Sequence, residues 1–355
     1  MTAPANPSIL TNRQRGLSLI ELMISITIGL LILSAMATLF ANQSRTRSEL
    51  DKSTRMIDNG RYSLEVLSEN LQLAGFYGTL NPNSVAPPGV VPDPCSTVMA
   101  NIAAAIPLHV QGFDAADAAT AATRPSCVPA TLKTGSDILV VRRVDTSAAI
   151  THASASAVAA TTPYLQASQC QYDSPSTPYI VSNNPASLTL RQRNCTTASA
   201  TPYADLRRMM VQIYYIDANN QTGDGIPTLK RVELSDAGAM VTVPLVDGIE
   251  YMQVEYGVDG DSDGDGVIDL AVFDGVADSY VETCTTVTCW SNVASVKLNI
   301  IARNIEQSAG QNDAKTYSLG MAGDYAPTGD DSKYKRHAYT QVVRLVNPSS
   351  RREAP

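Results

Sequence analysis

The chain is poor in aromatic residues, in histidine and in charge. It has four phenylalanines and one tryptophan against fifteen tyrosines, and charged residues make up 17% of the total. No G-x-S-x-G, H-E-x-x-H or P-loop pattern occurs, and the three histidines, His109, His152 and His337, stand far apart. The common hydrolase, zinc-protease and nucleotide-hydrolase sites are therefore missing, and no catalytic role is expected. The net charge is -8, so the chain lacks the positive field that nucleic-acid binding needs. Cys-x-x-Cys pairs, which a structural zinc site would need, are also absent. Apolar residues make up 44% of the chain, an ordinary share for a globular protein, so its bulk is not a membrane bundle.

What remains is concentrated. Residues Leu17 to Ala41 form one apolar run whose single charge is Glu21. At ~1.5 Å per residue the run is long enough for a bilayer core of ~30 Å. A cleaved secretory signal would have a shorter apolar core, ~7–15 residues. Arg13 and Arg15 precede the run and favour a cytoplasmic N-terminus, although Arg45 and Arg47 follow it. Six cysteines, Cys95, Cys127, Cys170, Cys195, Cys284 and Cys289, all lie beyond the run. In an exported domain they read as disulfides. Sequence does not choose among the pairings; nearest-neighbour pairing is the expectation, with Cys284–Cys289 first.

The start of the run has a second feature. Arg15-Gly16-Leu17-Ser18-Leu19-Ile20-Glu21-Leu22-Met23 resembles the prepilin cleavage motif of type IV pilins and type II secretion pseudopilins. The resemblance implies cleavage after Gly16 by a prepilin peptidase, and methylation of the new N-terminus at Leu17. It also implies that Glu21, the fifth mature residue, meets the N-terminal amine of a neighbouring subunit in a filament. The physics agrees, because a carboxylate in hydrocarbon needs a cationic partner. Leu17 departs from the usual Phe. Cleavage would remove two basic residues and no acidic one, leaving a more acidic mature chain.

Polar, periodic sequence continues from Asn42. Leu50, Ile57, Leu64 and Leu71 fall seven apart, with Leu67 and Ala74 beside them, as on a helix with one packing stripe. Gly60 is expected to bend that helix, and Gly75 and Gly78 to end it. Leu71-Gln72-Leu73-Ala74-Gly75-Phe76-Tyr77-Gly78 resembles the end of this helix in PilW-type minor pilins. Ser136-Asp137-Ile138-Leu139-Val140-Val141-Arg142, Tyr214-Tyr215-Ile216 and Pro227-Thr228-Leu229-Lys230-Arg231 resemble the heads of the same group.

These readings divide the chain into a leader (1–16), a membrane half of the helix (17–41), an amphipathic half (42–78) and a head (79–355). Within the head, 79–205 read as an irregular, disulfide-stapled part and 206–355 as a sheet with an acidic loop. Strands are expected at Asp137–Val144, Tyr179–Ser182, Ser187–Gln192, Met209–Ile216, Thr228–Leu234, Ile249–Tyr256, Val267–Phe273, Ser295–Ala302 and Gln341–Val346. Thr146–Thr162 reads as a low-complexity loop. The fold class is α+β: a long N-terminal helix packed on a mainly antiparallel sheet, with a large inserted part.

One stretch carries chemistry. Five aspartates crowd into residues 259–269. Asp261, Asp263, Asp265 and Asp269 follow D-x-D-x-D-G-x-x-D. Hard oxygen ligands at alternate positions, with Gly266 at the turn and the Val267 carbonyl as a further ligand, suit Ca²⁺. Position twelve of an EF-hand would be Glu and is Val272 here. The alternative is a solvated acidic turn, since Asp-Gly is also a hairpin signal.

The family resemblance implies a minor pilin that helps initiate a type IV pilus or sits near its tip. Its implied partners are other minor pilins, the major pilin, a tip adhesin, the prepilin peptidase and the inner membrane. A type II secretion minor pseudopilin and a membrane-tethered, Ca²⁺-binding adhesin that never polymerises are the alternatives.

Overall fold

The structure is a computed structural model that describes residues 16, 18–115, 117–155, 161–175, 177–197, 202–260 and 273–353. The chain forms two compact units, Met1–Asp51 and Lys52–Pro355. Helix α1, Leu19–Gln72, contributes to both. It contains no proline and runs without a break through Gly29 and Gly60. Three short helices and four short strands follow: α2 Met99–Ala104, β1 Val110–Phe113, α3 Ala118–Ala121, β2 Ile138–Val144, α4 His152–Ala155, β3 Tyr164–Ala167 and β4 Tyr179–Ser182. Then come β5 Leu206–Asp217, β6 Thr228–Leu234, β7 Met240–Asp247, β8 Ile249–Val258 and β9 Ser279–Val281. The chain finishes with α5 Val287–Ser291, β10 Val293–Arg303, β11 Tyr317–Ser318, β12 Asp324–Tyr325, β13 Arg336–Arg344 and α6 Val346–Glu353.

The second unit holds a seven-stranded and a four-stranded sheet, both antiparallel. The first runs β1-β2-β5-β3-β4, with β6 on β5 and β7 on β6; the second runs β13-β10-β8-β9. Two adjacent residues tie the sheets together. Asp137 N–H donates to the Met252 carbonyl at 2.8 Å, and the Met252 N–H returns to Ser136 Oγ at 2.9 Å. Asp137 Oδ2 then accepts the Val254 N–H at 2.9 Å.

β2 shows why the head needs both layers. Successive strand side chains point to opposite faces. Leu139 and Val141 enter one core with Met56, Leu67 and Leu71 of α1 and with the four-stranded sheet. Ile138, Val140 and Val144 enter a second core with Tyr77, Leu80, Ile102 and Val128. Every residue of β2 is buried, and its sequence opens on the apolar run Ile138–Val141 before Arg142 and Arg143. Each such side chain contributes ~1.5–3 kcal/mol by leaving water, so a polar residue at Val140 would strip one face of the sheet.

Several expectations change. Ser187–Gln192 is not a strand: the 3-10 turn Pro185–Ser187 opens it, and Arg191 makes only a single bridge to Tyr203. The last strand lies earlier than Gln341–Val346, at β13, because Val346 already begins α6. β1, β3, β7, β9, β11 and β12 have no counterpart among the expected strands. The stretch 79–205 is less irregular than its composition suggests, since β1 to β4 all join the large sheet, where β5 pairs with both β2 and β3. Short strands among Ala, Ser and Pro carry too few alternating apolar residues to stand out. Val267–Phe273 lies almost wholly outside the described residues.

The packing stripe of α1 also shifts. Met56, Gly60, Ser63, Leu67 and Leu71 are buried, while Leu50 and Ile57 are exposed. A strict seven-residue spacing drifts around a straight helix of 3.6 residues per turn, and the real stripe keeps to spacings of three and four. Gly60 does not break the helix. Its bare Cα lets the Tyr339 ring of β13 lie against it, where a Cβ would overlap the ring. Tyr339 then donates its hydroxyl to the Ile57 carbonyl at 3.2 Å. The helix ends at Gly75, whose φ of 70° suits glycine. Its last carbonyls are satisfied by α6: Asn347 Nδ2 reaches Gln72 and Ala74, and Arg351 reaches Gly75.

Candidate functional site

In the first unit the large apolar residues of α1 are exposed all round, from Leu19 at 76% to Phe40 at 75%. A helix apolar on every side belongs in lipid or among other helices. It is long and apolar enough to cross a bilayer. Its polar side chains are mostly self-satisfied: Ser25, Thr27 and Thr38 return their hydroxyls to helix carbonyls at 2.7–3.0 Å. Glu21 differs. It sits in the first turn, where Ser18 N–H donates to its Oε2 at 3.4 Å. That contact supplies one of the amide donors left over at a helix start, but no cation. Gly16 is exposed just ahead of the helix, and Leu17 lies outside the described residues.

In the second unit the six cysteines form the bonds Cys95–Cys127, Cys170–Cys195 and Cys284–Cys289. The first two staple the stretch before β5, and the third closes the turn into α5.

Of the acidic stretch only its foot is described; Asp261, Asp263, Asp265, Val267 and Asp269 lie outside the described residues. Asp259, the first of the five aspartates, is fully buried and pairs with Arg352 of α6 at 2.8 Å. It also accepts the N–H groups of Asp274 and Gly275 at 3.3 and 3.1 Å. Gly260 N–H donates to Asp278 Oδ2 at 2.8 Å. Asp259 is thus committed to closing the foot of the loop. Among the described residues no cluster of three or more His, Cys, Asp or Glu has metal-site geometry.

The histidines form no constellation. His109 is buried with Nε2 at 2.7 Å from the Val293 carbonyl, His152 lies against the Tyr203 ring, and His337 is near Tyr339. Sequence reasoning did not single out Arg351 and Arg352. Two basic residues near a chain end look like a solvated tail, and only the docking of α6 reveals their contacts.

Residues 213–347 match the family model described as Type IV Pilus-assembly protein W, and residues 11–37 match the prokaryotic N-terminal methylation motif. Over these two stretches the chain is similar to PilW-type type IV pilins. Among solved structures the chain is similar to the type IV-like pilin TTHA1219 from Thermus thermophilus. The identity is 9%, covering 83% of this chain and 97% of that one, with a TM-score of 0.34. No curated protein matches its sequence. The assembly-protein match starts within β5 and ends in α6, so it takes in β6, β7 and the whole four-stranded sheet. The methylation-motif match takes in Gly16, Leu17 and Glu21.

Proposed function

We propose that this chain is a PilW-like minor pilin that helps initiate a type IV pilus or sits in its tip complex, with no catalytic step of its own. The observation that carries the reading is the uncovered apolar part of α1 with one carboxylate near its start. Before assembly, that segment is suited to hold the chain in the inner membrane, with its head in the periplasm. Three disulfides fit that oxidising compartment. Cleavage after Gly16 by the prepilin peptidase creates an amine at Leu17, which methylation leaves basic. Glu21 of one subunit then pairs with the amine of the next, so an unprocessed chain lacks the cation that makes the carboxylate tolerable in an apolar filament core. Other minor pilins, the major pilin and a tip adhesin are the partners in this reading.

The test is mass spectrometry of the N-terminus of the chain recovered from its native membrane. An N-methylated Leu17 is the expected result. A chain still starting at Met1 would overturn the pilin pathway and leave a tethered surface protein.

A further inference from the structure

Where the end of α1 meets α6, the second unit contains a cavity of about 210 Å³. Its polar wall includes Tyr77, His109, Arg351 and Arg352, and its apolar wall includes Val85 and Ile106. Tyr77 is 1% exposed, and its hydroxyl has no hydrogen-bond partner. Buried hydroxyls are rarely left so, because the lost hydration is not replaced.

The charge around the cavity is also incomplete. Arg352 pairs with Asp259. Arg351 donates to the Gly75 carbonyl at 2.9 Å, and no carboxylate pairs with it among the described residues. Arg142, fully buried, reaches the Leu108 carbonyl at 3.2 Å and Gln111 Oε1 at 2.5 Å, again without a carboxylate. Both Arg142 and Arg351 act electrostatically on Tyr77. His109 adds no positive charge near neutral pH, because burial pulls its pKa down to about 4. Three guanidinium groups therefore stand around the cavity with two carboxylates, Asp259 paired to Arg352 and Asp93 acting on Arg142 from beyond hydrogen-bond reach. Burial lowers the pKa of Arg142 to about 10 and also lowers that of Arg351, a penalty that an incoming anion would offset.

We propose that this cavity binds an organic carboxylate, presented by a peptide at its free C-terminus or on an acidic side chain, with Arg351 and the Tyr77 hydroxyl as direct contacts. Guanidinium groups suit carboxylates, and the apolar wall suits the carbon chain behind one better than a fully hydrated inorganic anion. The volume accommodates a carboxylate and a few waters, at ~30 Å³ per water. The site goes beyond the pilin reading and stands whether or not the chain polymerises.

The test is calorimetric titration of the full chain in detergent micelles with four probes. These are N-acetyl-trialanine with a free C-terminus, its C-terminal amide, the same amide with one Ala replaced by Glu, and inorganic phosphate. At least one carboxylate-bearing peptide should bind ~10-fold or more tightly than the uncharged amide, and which one does identifies the source. Arg351→Gln and Tyr77→Phe should each weaken that binding. Tyr77→Phe should also melt at or above the parent temperature, because the hydroxyl it removes makes no bond in the fold. Equal binding of acid and amide, no binding at millimolar peptide, or phosphate binding as tightly as the peptide acids would overturn the proposal. So would a Tyr77→Phe variant that loses stability but keeps its affinity.

Discussion

The two units use one helix in opposite ways. From Leu19 to Asp51 the apolar side chains of α1 are uncovered; from Lys52 to Gln72 a mostly polar stretch is packed, and its buried positions include Gly60, Ser63 and Ser68. Burial therefore does not follow hydropathy along this helix. In the second unit the sheet supplies the partner, and Gly60 matters because it lets Tyr339 approach. In the first unit no described residue covers the apolar side chains, and in the proposed reading lipid or other subunits do.

The sharpest way to break that contrast is to remove Glu21, the one charge in the apolar run Leu17–Ala41. Glu21→Ala is expected to cut surface pili severely while leaving the melting of the head unchanged. Losing one partner of a buried ion pair costs ~3–5 kcal/mol, since the remaining charge stays desolvated. Counts of pili by electron microscopy, together with co-purification of other pilins, check this. Unchanged piliation and co-purification would mean that the segment is only a tether.

The head has its own buried carboxyl, and there the expected effect is on stability. Burial pushes Asp137 up to about 8 from 3.8, helped by the charge of Asp114 and opposed by the Val254 N–H. The folded state thus holds a proton that the unfolded chain gives up near pH 4. This contribution is whole below that pH, is lost as pH rises towards 8, and is constant above. Within the window the slope approaches ~1.4 kcal/mol per pH unit. Asp137→Asn keeps an acceptor for Val254 and should flatten the slope, as urea midpoints at pH 5 and pH 8 would show. Parallel profiles for variant and parent would place the titrating group elsewhere.

Much of this was legible beforehand, for identifiable reasons. Thr228–Leu234 and Tyr179–Ser182 coincide with β6 and β4, because apolar alternation between turn residues leaves little choice. The start of α1 was legible because an unbroken apolar run with one glutamate is rare. The stripe of the packed half was not: its central positions, Gly60 and Ser63, are not apolar, and Gly60 is explained by Tyr339, far along the chain. The cavity beside α6 was hidden for the same reason, since Tyr77, Arg142 and Arg351 are distant in sequence. A smaller perturbation tests the stripe. Gly60→Ala should destabilise the head by ~1–3 kcal/mol through overpacking, and Tyr339→Leu should relieve much of that cost. If Gly60→Ala is neutral by chemical denaturation, the ring is not held against the helix.

The weakest expected effect concerns the acidic stretch, which, like the start of α1, concentrates residues of one kind. With Asp259 held by Arg352, a Ca²⁺ ion would have Asp261, Asp263, Asp265, Asp269 and the Val267 carbonyl to bind. Lacking a bidentate glutamate at Val272, the loop should bind weakly. At tenfold excess over its dissociation constant, the ion would add only ~1–2 kcal/mol. Titration calorimetry and melting with and without Ca²⁺ check this, with Asp263→Ala as the variant that abolishes both signals. If neither heat nor melting temperature responds in the parent, the Ca²⁺ reading of the acidic stretch fails and the hairpin-turn reading stands.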